Sequence, residues 1–390
     1  MLQERTDLRS GMPDRVKGLQ TPCLLLDQTR LDANVRRLTK RLSGLGVGFR
    51  PHMKTAKSVD VARRVLPAAT GPATVSTLKE AEVFAAAGVT DMIYAVGISP
   101  EKLGRVLALR RAGVDIAVLL DSVEQASAVG EASRVANIAI PALIEIDSDG
   151  HRAGLRPDNA RELIAIGKAL YDGGELRGVL THAGESYFAR SVPEFEACAE
   201  QERAAATHAA DNLRSAGLPC PVVSVGATPT ALYGRDYAGV TEVRAGVFMF
   251  FDLVQAGAGV CTPDEIAISV LSTVIGHQRD RAWTFIDAGW MAMSRDRGTA
   301  TQAVDQGYGI VCDLDGKPYP DLIVTQASQE HGIVARRPGS TAPAPDLPVG
   351  AKVRILPNHA CATAAQYDGY YVVSDGSDRV QAFWPRFGGW

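Results

Sequence analysis

The sequence predicts an α/β chain: a parallel (β/α)8 barrel of the TIM type joined to a mostly β C-terminal domain. Three observations carry this. Apolar, β-branched stretches bounded by turn residues alternate with segments of helical period. Eight such stretches fall within about 200 residues, near the barrel norm of about 250. After about Ala258 the helical patterns stop, and short apolar runs separated by Gly, Asp and Pro take over. A doubly wound open sheet shares the alternation, so the pattern favours closure into a barrel without excluding that competitor.

In chain order, a first strand at Cys23–Asp27 precedes the barrel and is expected to pair with the second domain. Barrel strands begin near Val47, Ala73, Met92, Ile116, Pro141, Arg177, Pro221 and Val240. Helical patterns between them cover Ser58–Leu66, Leu78–Ala87, Pro100–Ala112, Val123–Val135, Asn159–Tyr171 and Val192–Ala216. Ser99-Pro100 and Asp121-Ser122 carry helix-start chemistry. The long Ala- and Glu-rich helix is expected to stop at Gly217-Leu218-Pro219. In the tail, IAISVLSTVIG, WTFIDAG, DLIVTQAS, AKVRILP and YYVVS read as strands. The expected division is 28–257 for the barrel, with 1–27 and 258–390 forming the β domain.

The 390 residues suffice for two domains or a barrel with an appendage. Hydrophobic residues at 46% and charged residues at 22% are the mixture of a globular protein with a sizeable core. The 41 Lys+Arg nearly balance 44 Asp+Glu, and no basic block stands ready to neutralise phosphates, which argues against nucleic acid as partner. No apolar run approaches the roughly 20 residues that span a bilayer, and MLQERTDLRSGMPDR lacks the apolar core of a secretory signal. Cys23, Cys198, Cys220, Cys261, Cys312 and Cys361 are scattered without a CxxC pair, so they are expected as reduced thiols in the cytoplasm.

A barrel builds its site from the loops after the C-terminal strand ends. Polar and glycine residues gather at those ends: RPHMKTAK after the first strand, EIDSDGHRAG after the fifth, THAGESY after the sixth, SVGATPT after the seventh and EVRAG after the eighth. Lys54 stands where an apolar strand should finish. An amine held against apolar walls is available to attack a carbonyl, although a surface lysine beside Lys57 has the same sequence. Gly226-Ala227-Thr228 and Ala245-Gly246-Val247 are small-residue turns that offer backbone N–H groups to a phosphate; each is also an ordinary turn. Together they place a lysine opposite a phosphate cradle, as a pyridoxal phosphate site requires.

A second constellation is LPNHACAT. If it is extended, His359 and Cys361 project from one face, and such a pair suits zinc while leaving positions for water and substrate. A core cysteine beside a half-buried histidine is the plain competitor. Gln329-Glu330-His331-Gly332 is a further polar knot, either a proton-transfer or supporting group or a solvated turn.

RPHMKTAKS, EIDSDGHRAG, THAGESY, SVGATPTA, EVRAGVFMFFD, DAGWMAMSRDRG, QEHGI and RILPNHACAT, in this order and spacing, resemble the metal-activated D-serine dehydratase/D-threonine aldolase family of pyridoxal phosphate enzymes. The likeness runs from about Thr21 to Trp390, and the family's barrel is of the alanine racemase N-terminal type (fold type III). The resemblance implies that Lys54 bonds covalently to pyridoxal 5'-phosphate, that Arg152 approaches its phenolic oxygen, and that His182 and Tyr187 lie beside its ring. It implies that Gly226, Ala227, Thr228, Gly246 and Val247 hold the phosphate. Arg244 matches the arginine that meets the pyridine nitrogen in the racemase branch. His359 and Cys361 match the metal pair, zinc being the usual ion, with manganese, cobalt or magnesium as other candidates.

The activity implied is that of a lyase. A D-3-hydroxy amino acid such as D-threo-3-hydroxyaspartate or D-serine is converted to a 2-oxo acid and ammonia, with Lys54, His359 and Cys361 as catalytic residues. Aldolase relatives commonly carry Asp at the position of Cys361, which favours dehydration over retro-aldol cleavage to glycine and an aldehyde. A non-catalytic pyridoxal phosphate carrier lacks the β domain and the His–Cys pair. A racemase needs a second base opposite Lys54, and no such tyrosine motif is recognisable. Arg295 and Arg297 are candidates for a second substrate carboxylate, or simply an exposed charged loop. The resemblance also implies a homodimer.

Overall fold

The computed structural model describes residues 13–343, 345–374 and 377–390. Eight short parallel strands form one sheet: β2 (Gly48–Pro51), β3 (Ala73–Val75), β4 (Asp91–Gly97), β5 (Asp115–Leu120), β6 (Pro141–Ile146), β7 (Glu175–Thr181), β8 (Val222–Val225) and β9 (Glu242–Ala245), numbered after β1 (Cys23–Asp27). Their order is β2-β9-β8-β7-β6-β5-β4-β3, and a parallel bridge between His52 and Thr74 joins the two edges. The sheet is therefore a nearly closed barrel, and the open-sheet alternative falls. Strands such as β5 and β7 are buried along most of their length, which is why they read as continuous apolar runs rather than alternations.

Helices α1 (Gln28–Gly44), α2 (Val59–Val65), α3 (Leu78–Ala86), α4 (Leu103–Arg111), α5 (Val123–Ala136), α6 (Ala160–Gly173), α7 (Val192–Ser215) and α8 (Thr228–Tyr233) connect the strands. In α6 the buried residues Leu163, Ile166, Gly167 and Leu170 keep the i, i+3, i+4, i+7 spacing of one helical face. Each buried Leu or Ile on such a face contributes about 1.5–3 kcal/mol, so a charge at Ile166 would break the packing. Ser122 caps α5 by accepting from Gln125 N–H, whereas Ser99 opens a 3-10 turn without a side-chain cap. The long helix α7 ends at Ser215, two residues before Gly217 at φ +76°.

The second unit is antiparallel. Strands β10 (Ile268–Gln278), β11 (Trp283–Ile286), β14 (Gly332–Arg336), β13 (Pro318–Ala327), β12 (Gly309–Cys312) and β15 (Lys352–Pro357) pair in that order, and β15 returns to β10, so they close a small barrel. Strand β1 extends it by pairing antiparallel to β10, followed by β16 (Gly369–Val373) and β17 (Ala382–Pro385). The expected pairing of the first strand with this domain is thus observed. The unit also carries the short helices α9 (Leu253–Ala258), α10 (Trp290–Met293) and α11 (Ala360–Ala364).

The compact units are Arg36–Gly246 with Gly389–Trp390, and the chain up to Val35 with Val247–Gly388, where the sequence reading had 28–257 against the remainder. The start of α1 belongs with the β unit because Arg30 donates to Ile266 O, and Asn34 donates to Met249 O and Glu265 O. Phe250 belongs there because it packs on Tyr370, with ring centroids 5.5 Å apart.

Candidate active site

Lys54 does not end a strand. Strand β2 stops at Pro51, His52 makes the barrel-closing bridge, and Met53–Thr55 turns as a 3-10 helix. Met53 and Thr55 are buried by this turn and Lys54 is left exposed. Its neighbour Lys57 takes a left-handed backbone at φ +44° and pairs with the buried Glu80 carboxylate at 3.3 Å. Glu80 also accepts from Ser76 N–H, and the Ser76 hydroxyl lies 2.8 Å from His52 Nε2. Among the described residues Lys54 has no hydrogen-bond or ion-pair partner. The same turn explains Gly246, because a Cβ there would lie 3.1 Å from His52 O and 3.2 Å from Thr55 Oγ1.

Across the barrel, β7 delivers Thr181 and then His182. His182 Nδ1 sits 2.7 Å from Gly226 O, which fixes Nδ1 as the donor. Its ring lies 6.1 Å from that of Tyr187, on the 3-10 turn Gly184–Tyr187. Burial, with the charges of Arg152, Lys54 and Arg244, pushes His182 down to about 3, against the hydrogen bond to Gly226 that favours its cation. His52 is likewise held well below the usual range by burial and then by Lys54, Arg244 and His182. These shifts describe one cationic field over two neutral imidazoles.

Arg244 is buried. Its Nη1 donates to Ser224 Oγ at 2.7 Å and its Nη2 to Thr181 O at 2.6 Å. Burial lowers it to about 10, although Glu202, Glu242 and Glu145 oppose the shift. Behind it, Ser224 donates to Glu242 Oε1, Arg50 donates to Glu242 Oε2, and Arg50 also reaches Asp91. At the end of β6, burial and the charge of Asp121 push Glu145 up to about 7.

The turn after β8 differs from the cradle expected of it. Gly226 N–H donates to Glu202 Oε1 and Ala227 N–H donates to Thr230 Oγ1. Those two amides are engaged within the chain and are not free donors. Gly226 is needed for another reason: at φ +137° a Cβ would stand 2.0 Å from Arg244 O.

Pyridoxal phosphate fits this set. A primary amine without a partner, a cationic field from Lys54, Arg152 and Arg244, and a neutral imidazole suit an anionic, carbonyl-bearing aromatic group. The Thr181 hydroxyl is buried with no hydrogen-bond partner among the described residues and could take one from such a group. Thr228 is buried at the start of α8, and Val247 begins the β unit's share of the chain.

In the β unit, the extended reading of LPNHACAT is corrected. Strand β15 ends at Pro357, His359 occupies the N-cap of α11, and Cys361 lies inside that helix. The two side chains nevertheless meet, because the strand-to-helix turn folds Cys361 back into hydrogen-bonding reach of His359. His359 Nδ1 lies 2.5 Å from Asp296 Oδ2, and the buried Asp252 anchors the turn by accepting Ala360 N–H at 2.9 Å. Against the cost of burial, Asp296 and Cys361 raise His359 to about 11. A field that favours a proton so strongly also favours a divalent cation, and imidazole with thiolate is a zinc-type donor set. No three His, Cys, Asp or Glu side chains converge as a ready cage among the described residues. Two protein ligands are the minimum of an open set, in which a catalytic ion has positions left for water or substrate.

Glu202 escaped the sequence reading, and Asp296, Ser224, Thr181 and His52, though inside the quoted motifs, were given no role in it. Glu202 was legible in principle, because it falls on the buried stripe Phe195, Ala199, Glu202, Ala206, Ala209, Leu213 of α7. The others depend on contacts between distant segments. Arg295 is exposed and stacks over Trp290 at 4.2 Å, while Arg297 pairs with Asp305 at 2.6 Å and covers Tyr308. Glu330 and His331 lie in the β13–β14 turn, with Glu330 exposed and His331 against Phe285.

Residues 26–254 match the model of the alanine racemase N-terminal domain, and residues 267–373 match that of a serine dehydratase domain. The chain is 52% identical to D-threo-3-hydroxyaspartate dehydratase of Delftia sp. (strain HT23), over 97% of this chain and all of the relative. It is 29% identical to D-serine dehydratase of Dictyostelium discoideum, over 96% of this chain and 98% of that one. The solved structure of the Delftia sp. HT23 dehydratase superposes with a TM-score of 0.93 at 51% identity, covering 97% and 100% of the two chains. A solved cysteine-to-alanine variant of D-threo-3-hydroxyaspartate dehydratase, in a metal-free form, matches equally well, with a TM-score of 0.93.

Proposed function

The chain belongs to the family built on the alanine racemase N-terminal domain, in the group that adds a serine dehydratase domain, and from that premise we propose that it is a pyridoxal phosphate- and metal-dependent dehydratase. Its substrate in this reading is a D-3-hydroxy amino acid, D-threo-3-hydroxyaspartate or D-serine, and its products are a 2-oxo acid and ammonia. The observation that carries the reading is the meeting of His359 with Cys361 beside Asp296. A cofactor carrier has no use for such a donor set.

When bound, pyridoxal phosphate supplies an electron sink at Cα and the divalent cation supplies a Lewis acid for the departing β-hydroxyl. Lys54 holds the cofactor through Nζ, and the same nitrogen then takes the α-proton. Arg152 and Arg244 keep the surroundings cationic, and His182, hydrogen-bonded to Gly226 O, stays neutral beside the ring. Gly226, Ala227, Thr228, Gly246 and Val247 surround the phosphate in this reading, with Tyr187 beside His182. His359 and Cys361 hold the metal, for which zinc is the best match to imidazole and thiolate. Free cysteines throughout support a reducing, cytoplasmic setting, and family likeness supports a homodimer. No described helix is long and apolar enough to cross a membrane.

A product assay on D-serine, D-threonine and the 3-hydroxyaspartate isomers, with and without divalent metal, tests the reading. D-threonine should yield 2-oxobutanoate; release of glycine and acetaldehyde would make the chain an aldolase instead. No turnover of any of these substrates in the metal- and cofactor-loaded protein would leave the carrier reading.

A further inference from the structure

We propose that Asp296 is a positioning residue that sets the ring of His359 for the metal, and that Ser294 sets Asp296 in turn. The inference rests on the reading of His359 and Cys361 as the metal pair. Asp296 Oδ2 accepts from His359 Nδ1 at 2.5 Å. That bond fixes the tautomer with the proton on Nδ1 and leaves the Nε2 lone pair as the one available to a cation.

Asp296 is itself held at side chain and backbone. Its Oδ1 accepts Gly298 N–H at 3.0 Å, and its backbone N–H donates to Ser294 Oγ at 3.1 Å. Ser294 is buried and has a left-handed φ of +72°, a conformation that a residue with a Cβ adopts only when its surroundings impose it. The chain thus accepts backbone strain at the residue that anchors the Asp296 backbone.

The backbone around His359 is secured without Asp296. Asn358 accepts from Thr299 Oγ1 at 2.5 Å and donates to Gly307 O at 2.8 Å. Ala360 N–H is held by Asp252, and Thr363 Oγ1 donates to Met293 O at 2.9 Å, one residue before Ser294. Loss of the Asp296 carboxylate therefore leaves the histidine backbone in place and frees the ring about its side-chain torsions. A positioning role predicts that such a loss is felt in metal affinity rather than in folding.

The test is zinc affinity of the pyridoxal phosphate-loaded enzyme, measured by competition with a chromophoric chelator. D296A should weaken zinc binding by about 10–100-fold, with the cofactor absorbance unchanged. D296N should recover most of that loss, because its amide oxygen still accepts from Nδ1, and S294A should fall between parent and D296A. Zinc affinity of D296A within twofold of the parent overturns the inference. Equal losses in D296N and D296A also overturn it, because they would make Asp296 a ligand rather than a positioning group. H359A and C361A are measured alongside. If neither weakens zinc binding, the metal pair itself is wrong; if both do and D296A does not, only the positioning role fails. Near-UV circular dichroism of each variant confirms the fold, and cobalt(II) absorption of any weakened variant reports whether the thiolate still binds.

Discussion

The ammonium of Lys57 lies 3.3 Å from Oε1 of Glu80, a carboxylate with no solvent exposure. Burial raises the Glu80 pKa and Lys57 opposes that shift, so the lysine is a structural counterion. Three residues earlier, Lys54 sits exposed on a 3-10 turn. Two lysines that the sequence presents as equivalents thus stand in different surroundings, one paired and one exposed.

The two should fail in opposite ways. K54A should remove the near-visible absorbance of lysine-bound pyridoxal phosphate and cut turnover by at least about 10²–10⁴-fold, with little change in unfolding midpoint. K57M should keep the cofactor bond and lose about 3–5 kcal/mol of stability, because Glu80 is left buried and unpaired. Absorbance spectra and urea unfolding of both variants check this. A K54A protein that keeps the band would reassign the cofactor lysine.

G226A should destabilise the barrel by at least about 1–3 kcal/mol, since its Cβ would meet Arg244 O at 2.0 Å in a backbone region reserved for glycine. Relief of that clash must move the Gly226 carbonyl away from His182 Nδ1. Thermal unfolding measures the first effect, and the imidazole chemical shifts of His182 measure the second.

His182 also predicts a pH dependence. Its folded pKa of about 3 lies below the ordinary 6.5, so between those values the unfolded chain binds a proton that the native chain refuses. Stability from this group is fully present above pH 6.5, declines as pH falls, and is lost below about 3. Glu145, raised to about 7, acts in the other direction over its own range, so the readout is a difference. Denaturant unfolding of cofactor-free H182Q and parent should give curves that converge as pH drops from 7 towards 4. Parallel curves would show that His182 titrates normally.

Chelation should abolish dehydration while pyridoxal phosphate stays on the protein, because Lys54 and His359 belong to separate compact units. Activity assays and cofactor absorbance before and after dialysis against a chelator, followed by zinc restoration, check both halves. Full activity in a verified metal-free sample would remove the Lewis acid from the mechanism.

The alternation of strands and helices and the change to β structure after Ala258 were legible because periodicity and turn chemistry are local properties. Lys54, His359 and Cys361 stood out as candidates for the same reason, because each lies in a short local motif. The unit boundary was less so, since Asn34 and Phe250 are placed by partners far along the chain. The sequence by itself determined the order of elements and which reactive side chains the protein owns. Tertiary structure alone decided that the barrel closes through His52 and Thr74, that Glu80 claims Lys57 and leaves Lys54, and that Asp296 reaches His359. Those pairings are separated by 22 to 63 residues. Only packing of buried surface, not local propensity, can bring such groups together and set which of them keeps a free lone pair.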